Sequence, residues 1–327
     1  MLLDGRQARD IERAAQALAA GELVGLPTET VYGLGARADD DAAVAKVFAA
    51  KGRPADHPLI VHVADPAGAQ AFAQDWPPVA QRLVSVLWPG PLTVIVPRLP
   101  GMAAAAAGGQ ASVGLRCPAH PVARALLQAA CGLGVPGVAA PSANRYGGIS
   151  PTLARHVVDE FEPGLLVLDG GACDVGIESS IVDCTRGHPV LLRPGLLTRA
   201  QLEAAAGEPL HDRDQAAPKA SGTLDAHYAP RARLRLMPAE MLKTALSLLD
   251  GADVRLAVYC RTVPRKAAVA ARYRAMPGQP AQAAHELFAA LRELDAEGVH
   301  LIWVEEPPAG PEWDGVRDRL QRAAASA

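Results

Sequence analysis

The sequence predicts an α/β protein, with a twisted mixed-sheet domain followed by a smaller doubly wound α/β domain. Three observations predict it. Short apolar runs such as "PLIVHVAD", "PLTVIVPR" and "SSIVDC" have strand length and β-branched content, and helical patterns fall between only some of them. Beyond residue 230 the patterns alternate regularly: "ARLRLMP", 239–250, "VRLAVYC", 280–296, "VHLIWVEE" and 314–325 read as strand, helix, strand, helix, strand, helix. Such alternation is the mark of a parallel sheet covered by helices. Between the two patterns, 208–226 ("EPLHDRDQAAPKASGTLDA") lacks hydrophobic periodicity and reads as a connection. The expected division is 1–207, a linker over 208–230, and 231–327.

In order, residues 7–20 form an amphipathic helix closed by Gly21, and "LVGLPTE" is a strand followed by a glycine-rich turn. "DDDAAVAKVFAAKG" is a helix: aspartates suit its positive end, Lys51 its last turn, and Gly52 its C-terminal cap. "PLIVHVAD", "PLTVIVPR", "ASVGLRC", "VPGVAAPSA", "LLVLDGG", "SSIVDC" and "PVLLRPG" read as strands, with helices around 66–87 and 121–130. "GMAAAAAGGQ" is of low complexity and reads as a mobile loop. "TRAQLEAAAG" carries a capping box, Thr198 with Gln201, and ends at Gly207.

Composition narrows the function classes. The chain has 327 residues, half of them hydrophobic, and a net charge of −3, so no global basic field draws it to nucleic acid or anionic membrane. The five cysteines, at 117, 131, 173, 184 and 260, show no CxxC spacing, which gives no support for zinc or dithiol chemistry. They read as thiols in a reducing compartment. The N-terminal "MLLDGRQARDIERAAQALAAGE" carries acids and no apolar signal core, and no apolar run reaches membrane-spanning length. A cytoplasmic, membrane-free location is the expectation.

Five motifs remain, each with a plain alternative. In "PTETVYGLG", 27–35, Thr28, Thr30 and Tyr32 alternate so that hydroxyls share a face, and Gly33 and Gly35 permit a sharp turn or close approach; a simple strand end is the alternative. In "KGRP", 51–54, Lys51 and Arg53 suit a polyphosphate clamp or merely the end of a helix dipole. "PSANRYGGISPT", 141–152, offers small hydroxyls and backbone amides for a phosphate, or an ordinary polar loop with a helix cap. "GIESSIVDCT" with "LLRPG" sets Glu178, Ser179 and Ser180 near Arg193, as a ligand bridge or a structural ion pair. "HYAP", 227–230, is a candidate lid or an anchored loop. Together they bring cations, hydroxyls and glycines to strand ends with few acids. That suits phosphate chemistry by positioning and charge stabilisation. No Walker loop is present.

Taken in order, "PTETVYGLG", "KGRPxxxPLIVHV", "PLTVIV", "GLRCPxHP", "PSANxxGxxSPT", "ESSIVD", "LLRPG" and "HYAP" resemble the Sua5 type of L-threonylcarbamoyladenylate synthases, the YrdC/Sua5 family. The resemblance is dense over 10–205, as a YrdC-like domain, and continues through a linker into a small Rossmann-like Sua5-type domain. It implies a nucleotidyltransferase. L-threonine and bicarbonate form a carbamate, which attacks the α-phosphate of ATP to give threonylcarbamoyl-AMP and pyrophosphate. Threonylcarbamoyl-transfer proteins of the t6A pathway then use the product on adenosine 37 of tRNA. It implies magnesium with the ATP, weak tRNA contact, and no resident metal.

Residue by residue, the resemblance makes Lys51 and Arg53 catalytic. It makes Arg53, His57, Ser112, Ser142, Asn144, Ser150, Arg193 and Tyr228 the ATP contacts, Tyr228 folding over the site from the linker. It makes Thr30, His62, Arg116, Ala140 and Ser180 the L-threonine pocket, with Arg116 the partner of a carboxylate. Three positions depart from the family pattern: His57 replaces Asn, Ala140 replaces a common Thr, and "ASGTLDAHYAP" replaces "PGMxYxHYAP". Neutral His, like Asn, both donates and accepts. Two other classes fit the sequence less well. An RNA-binding YrdC-like module would call for basic, aromatic-rich runs. A hydrogenase-maturation carbamoyltransferase would call for zinc fingers, and no cysteine pattern for them is present.

Overall fold

The computed structural model describes residues 1–249, 254–266 and 269–326. The chain divides into two compact units, 1–146 with 150–223, and 147–149 with 224–327. The division falls inside the segment 208–230, and the part up to Thr223 packs with the first unit.

The first unit runs β1 (Leu2–Asp4), α1 (Ala8–Ala19), β2 (Val24–Leu26), β3 (Gly33–Arg37), α2 (Asp41–Lys51) and β4 (Ile60–His62). It continues with α3 (Pro78–Leu87), β5 (Leu92–Pro97), β6 (Ser112–Arg116), α4 (Pro121–Gly132), β7 (Val138–Ala139), α5 (Ala154–Val158) and β8 (Leu166–Asp169). β9 (Ser180–Asp183), β10 (Val190–Arg193), α6 (Arg199–Ala206) and β11 (His211–Asp212) complete it. The strands form one sheet, ordered β1-β8-β2-β3-β7-β4-β6-β5-β9-β10-β11, with parallel and antiparallel pairs interspersed.

Local chemistry sets the boundaries. Asp40 caps α2 by accepting from the Ala42 and Ala43 N–H groups, and Gly52 ends it at φ 64°. The Thr198–Gln201 capping box and left-handed Gly207 bound α6. Four expectations are corrected. The glycine-rich stretch after β2 is a strand, β3, whose Gly35 leaves room for neighbours: a Cβ there would lie 2.7 Å from Val138 Cγ1. The helix expected over 66–87 begins only at Pro78, because prolines 77 and 78 suit a helix start and not its interior; a 3₁₀ turn, Gly68–Ala71, precedes it. "VPGVAAPSA" gives only a two-residue strand. "GMAAAAAGGQ" is packed in successive turns, with Ala103, Ala106 and Ala107 buried and the Ala106 carbonyl accepting the Leu59 N–H. Its bare methyls fill core space that larger side chains could not.

In the second unit β12 (Arg233–Met237), α7 (Ala239–Ser247), β13 (Leu256–Cys260), β14 (Ala271–Ala275), α8 (Pro280–Ala296), β15 (Leu301–Glu305) and α9 (Asp314–Ala325) build a four-stranded sheet, ordered β12-β15-β13-β14 and parallel throughout. The helix expected over 239–250 ends at Ser247, and Asp250 lies outside the described residues. β14 was not anticipated, because "ARYRA" sets two arginines in an edge strand. At the C-terminal end of the sheet the buried Glu305 carboxylate accepts the N–H groups of Arg261 at 2.8 Å, Thr262 at 2.7 Å and Val263 at 3.2 Å.

Candidate active site

The first unit carries one row of partners straight across its sheet. His62 on β4 pairs with Arg116 on β6. The antiparallel β5 pairs Val94 with Leu115, so its register carries Thr93 toward Arg116, and Thr93 pairs with Ile181 of β9. Aligned partners point to one face, so His62, Arg116 and Thr93 look the same way.

Arg116 is buried and doubly held. Its Nη1 donates to Thr30 Oγ1 at 2.8 Å, and its Nη2 lies 2.7 Å from Glu29 Oε1 as an ion pair. Thr28 spends its hydroxyl proton on the Val31 carbonyl, at 2.7 Å. Its oxygen therefore accepts from Thr30, 2.8 Å away, and the chain runs Arg116 to Thr30 to Thr28. Burial alone would raise the Glu29 carboxyl, but the charge and hydrogen bond of Arg116 outweigh it and hold Glu29 ionised. Arg116 Nε and Nη2, His62 Nδ1 and Ser180 Oγ are buried and make no aligned hydrogen bond. Burial, then the Arg116 charge, pushes His62 down to about 3, so its imidazole is neutral. Ala140 is buried too, its N–H bonded to the Ile60 carbonyl, and Gly195 lets the backbone pass close to Ser180: a Cβ there would lie 2.6 Å from Ser180 N.

A second group gathers at the C-terminus of α2. Lys51 is buried, and its Nζ donates to the Ser142 carbonyl at 2.6 Å and to the Asn144 carbonyl. Burial, and then the charge of Arg53, holds Lys51 well below the usual lysine range. The Tyr146 N–H returns a bond to the Lys51 carbonyl at 2.9 Å, so "KGRP" and "PSANRY" form one structure. Arg53 Nη2 donates to the Pro58 carbonyl at 3.0 Å. Ser150 is buried and donates to Glu178. His57 meets Tyr146, Nδ1 to hydroxyl at 2.9 Å, and the Arg53 guanidinium lies 5.8 Å from the same ring centroid. Burial and the Arg53 charge lower the His57 pKa. His57 is thus a neutral donor and acceptor, as the Asn of the family pattern would be.

Arg193, ending β10, joins the groups. Its Nε and Nη2 donate to the carbonyl and hydroxyl of Ser179, at 3.0 and 3.2 Å, and Ser179 Oγ lies 2.8 Å from Thr93 Oγ1. Its Nη1 donates to the Ser221 carbonyl at 2.8 Å. Ser112 lines a narrow cavity beside that segment. Tyr228 lies in the second unit, buried at φ 64° between Phe288, with ring centroids 5.3 Å apart, and the Arg319 guanidinium, 5.5 Å from its ring. Sequence reasoning missed Glu29, Thr93 and Tyr146 as parts of the site. For Glu178, Ser179 and Arg193 it left open a ligand bridge or a structural Glu–Arg pair, and the structure bonds Ser150 to Glu178 and Arg193 to Ser179. Glu29 sits inside a quoted motif, and its acid beside a required arginine was a usable signal.

Residues 16–195 match the family model described as "Telomere recombination", that of Sua5, YciO and YrdC, and residues 197–325 match the one described as "Threonylcarbamoyl-AMP synthase, C-terminal domain". The chain belongs to this family. It is 38% identical to a threonylcarbamoyl-AMP synthase of Bacillus subtilis, covering 96% of this chain and 92% of that one. It is 36% identical to the synthase of Pyrococcus abyssi, covering 96% and 94%. The solved structure of P. abyssi Sua5 complexed with L-threonine matches with a TM-score of 0.90 at 33% identity, over 100% of this chain and 97% of that one. Membership in the family accounts for both folds, the mixed sheet and the small parallel one. Among the described residues no helix is long and apolar enough to cross a membrane, and no group of three His, Cys, Asp or Glu could hold a metal ion.

Proposed function

We propose that this protein is an L-threonylcarbamoyladenylate synthase, a nucleotidyltransferase that makes threonylcarbamoyl-AMP and pyrophosphate from L-threonine, bicarbonate and ATP. The observation that carries it is the buried Arg116 with His62 paired to it across the sheet, both holding buried nitrogens without aligned partners, as Ser180 on β9 holds a buried Oγ without one, in a chain related to a Sua5 solved with L-threonine. Arg116 and Thr30 take the threonine carboxylate and hydroxyl side, His62 and Ser180 the remaining polar groups, and Ala140 lines the pocket. The neutral imidazole of His62 accepts from an N–H or O–H without repelling the amine.

The amine nitrogen attacks bicarbonate carbon and loses a proton, and water leaves, giving the carbamate. A carbamate oxygen then bonds to the α-phosphorus of ATP while the bridging oxygen to the β-phosphate departs with pyrophosphate. Arg53 and Lys51 offset charge on the phosphates, and Ser112, Ser142, Asn144, Ser150, Arg193, His57 and Tyr228 are the further ATP contacts of this reading. Magnesium fits as the counter-ion of ATP rather than as a resident ion, since the described residues supply no carboxylate cluster for it. The product would pass to threonylcarbamoyl-transfer proteins that modify tRNA, in the cytoplasm. The first unit carries the chemistry, 208–230 is a linker, and the rest is a separate domain.

The test is pyrophosphate release from ATP by the purified chain. Release should require threonine and bicarbonate together; release without either, or none with both, refutes the reading. A charge-assisted hydrogen bond contributes about 1.5–3 kcal/mol, so Arg53→Ala should lower turnover about 10- to 100-fold.

A further inference from the structure

The linker residues around 217–221 lie on the apolar face of the first unit's sheet, where Ala217 and Ala220 pack on the cluster of Ile60, Ile95 and Ile181. Beneath Lys219, Ala220 and Ser221 runs a cavity of about 20 Å³, floored by Ile60, Gly114 and Ile181 and walled by Ser112. That is room for about one water, far short of any part of a nucleotide. The roofing segment forms no regular element, so specific contacts must decide where it runs.

Gln110 makes those contacts. Its Oε1 accepts the Lys219 N–H at 2.9 Å, and its Nε2 donates to the Lys219 carbonyl at 3.1 Å. One side-chain amide thus pairs with one backbone residue as a neighbouring strand would. Lys219 Nζ adds an ion pair to Asp56 at 2.7 Å, exposed on both sides and therefore minor. Two residues on, the Ser221 carbonyl occupies Arg193 Nη1. Gln110 is itself held in place, because the turns before it bond to Leu59 through Ala106 and press Gly108, at φ 60°, against the Asp56 carbonyl.

We infer that Gln110 is a positioning residue that sets nucleotide affinity, by holding the linker in the slot that a nucleotide must enter beside Arg193 and Ser112. The inference rests on the synthase reading for its ligand but not for the pairing. A nucleotide phosphate and the Ser221 carbonyl compete for Arg193. Apparent affinity therefore falls with the fraction of molecules whose linker is lifted, and loosening the Lys219 pairing raises that fraction.

The experiment compares the whole chain with Gln110→Ala. Three quantities are measured: titration with a non-hydrolysable ATP analogue and magnesium, titration with L-threonine, and hydrogen exchange of the 214–223 amides. Losing the exposed pair should make the analogue bind roughly 3- to 10-fold more tightly and speed exchange of the Lys219 amide by a similar factor. Threonine affinity should stay within about twofold, which a general structural defect would not spare. Equal or weaker analogue binding, with the exchange nonetheless faster, overturns this inference alone. An unchanged exchange rate overturns the pairing as the linker's anchor. Failure of the analogue to bind either protein overturns the inference and the synthase reading together.

Discussion

Replacing Glu29 by Gln removes one charge from a buried pair without changing its shape. Glu29 and Arg116 side chains are only 7% and 4% exposed and approach to 2.7 Å. With charge centres about 4 Å apart and an effective dielectric constant near 20, the gross attraction is about 4 kcal/mol. Breaking such a pair typically costs about 3–5 kcal/mol, because the surviving charge stays buried. The Gln amide oxygen keeps a dipole toward Arg116, so a loss of about 2–3 kcal/mol is expected, or roughly 5–10 °C in melting temperature for a domain of this size. Threonine adds a second readout. Its carboxylate approaches a guanidinium already balanced in the native protein but unbalanced in the variant. L-threonine should therefore raise the melting temperature of Glu29→Gln by more than that of the unaltered chain. Thermal or urea denaturation with and without threonine measures both. A variant within about 0.5 kcal/mol of the native protein, or equal threonine shifts in the two, would refute the account of Arg116.

Acidification should destabilise the first unit through His62, whose folded-state pKa of about 3 lies below its ordinary 6.5. Between those values the unfolded chain binds the proton and the folded one does not, so stability is full above pH 6.5 and falls toward pH 3, by at most about 1.4 kcal/mol per unit. His62→Asn should flatten that slope in urea titrations run at successive pH values; an unchanged slope would remove His62 as its source. Gly35→Ala should cost about 1–3 kcal/mol by overpacking against Val138 and Leu26, whose atoms lie 2.7 and 2.8 Å from the added carbon; equal melting temperatures would contradict the close approach. Thr198→Ala should lose about 1 kcal/mol and Thr198→Ser much less, since Ser retains the capping oxygen; equal losses would mean that the cap is not the cause.

Most of the framework was legible because it rests on local rules. Capping at Asp40, Gly52, Thr198 and Gly207, and the alternation after residue 230, follow from neighbours in the chain. β3 was misread because glycine serves turns and tight packing alike, and only Val138 across the sheet tells them apart. The site was legible as a set of residues but not as a circuit. Arg116 meets Thr30, and Thr93 meets Ser179, each pair 86 positions apart, and no local pattern announces such partners. His57 shows the same limit. It read as a departure, and only the fold reveals Tyr146 beside one ring nitrogen and the Asp56 carboxylate 3.9 Å from the other. Gln110 ended a run of alanines that composition alone marked as loose.

The Glu305 cradle bears on what the small parallel domain can become. The carboxyl ends of such a sheet are where doubly wound folds receive anionic ligands, and three convergent backbone amides are the usual receptor. Here the domain carries its own anion in that receptor, tethered to the end of β15. A phosphate arriving there would meet fixed negative charge and donors already engaged. Conversely, Glu305→Ala would bare a ready-made oxyanion pocket on a scaffold that lacks one, a starting point for grafting phosphate recognition onto this domain.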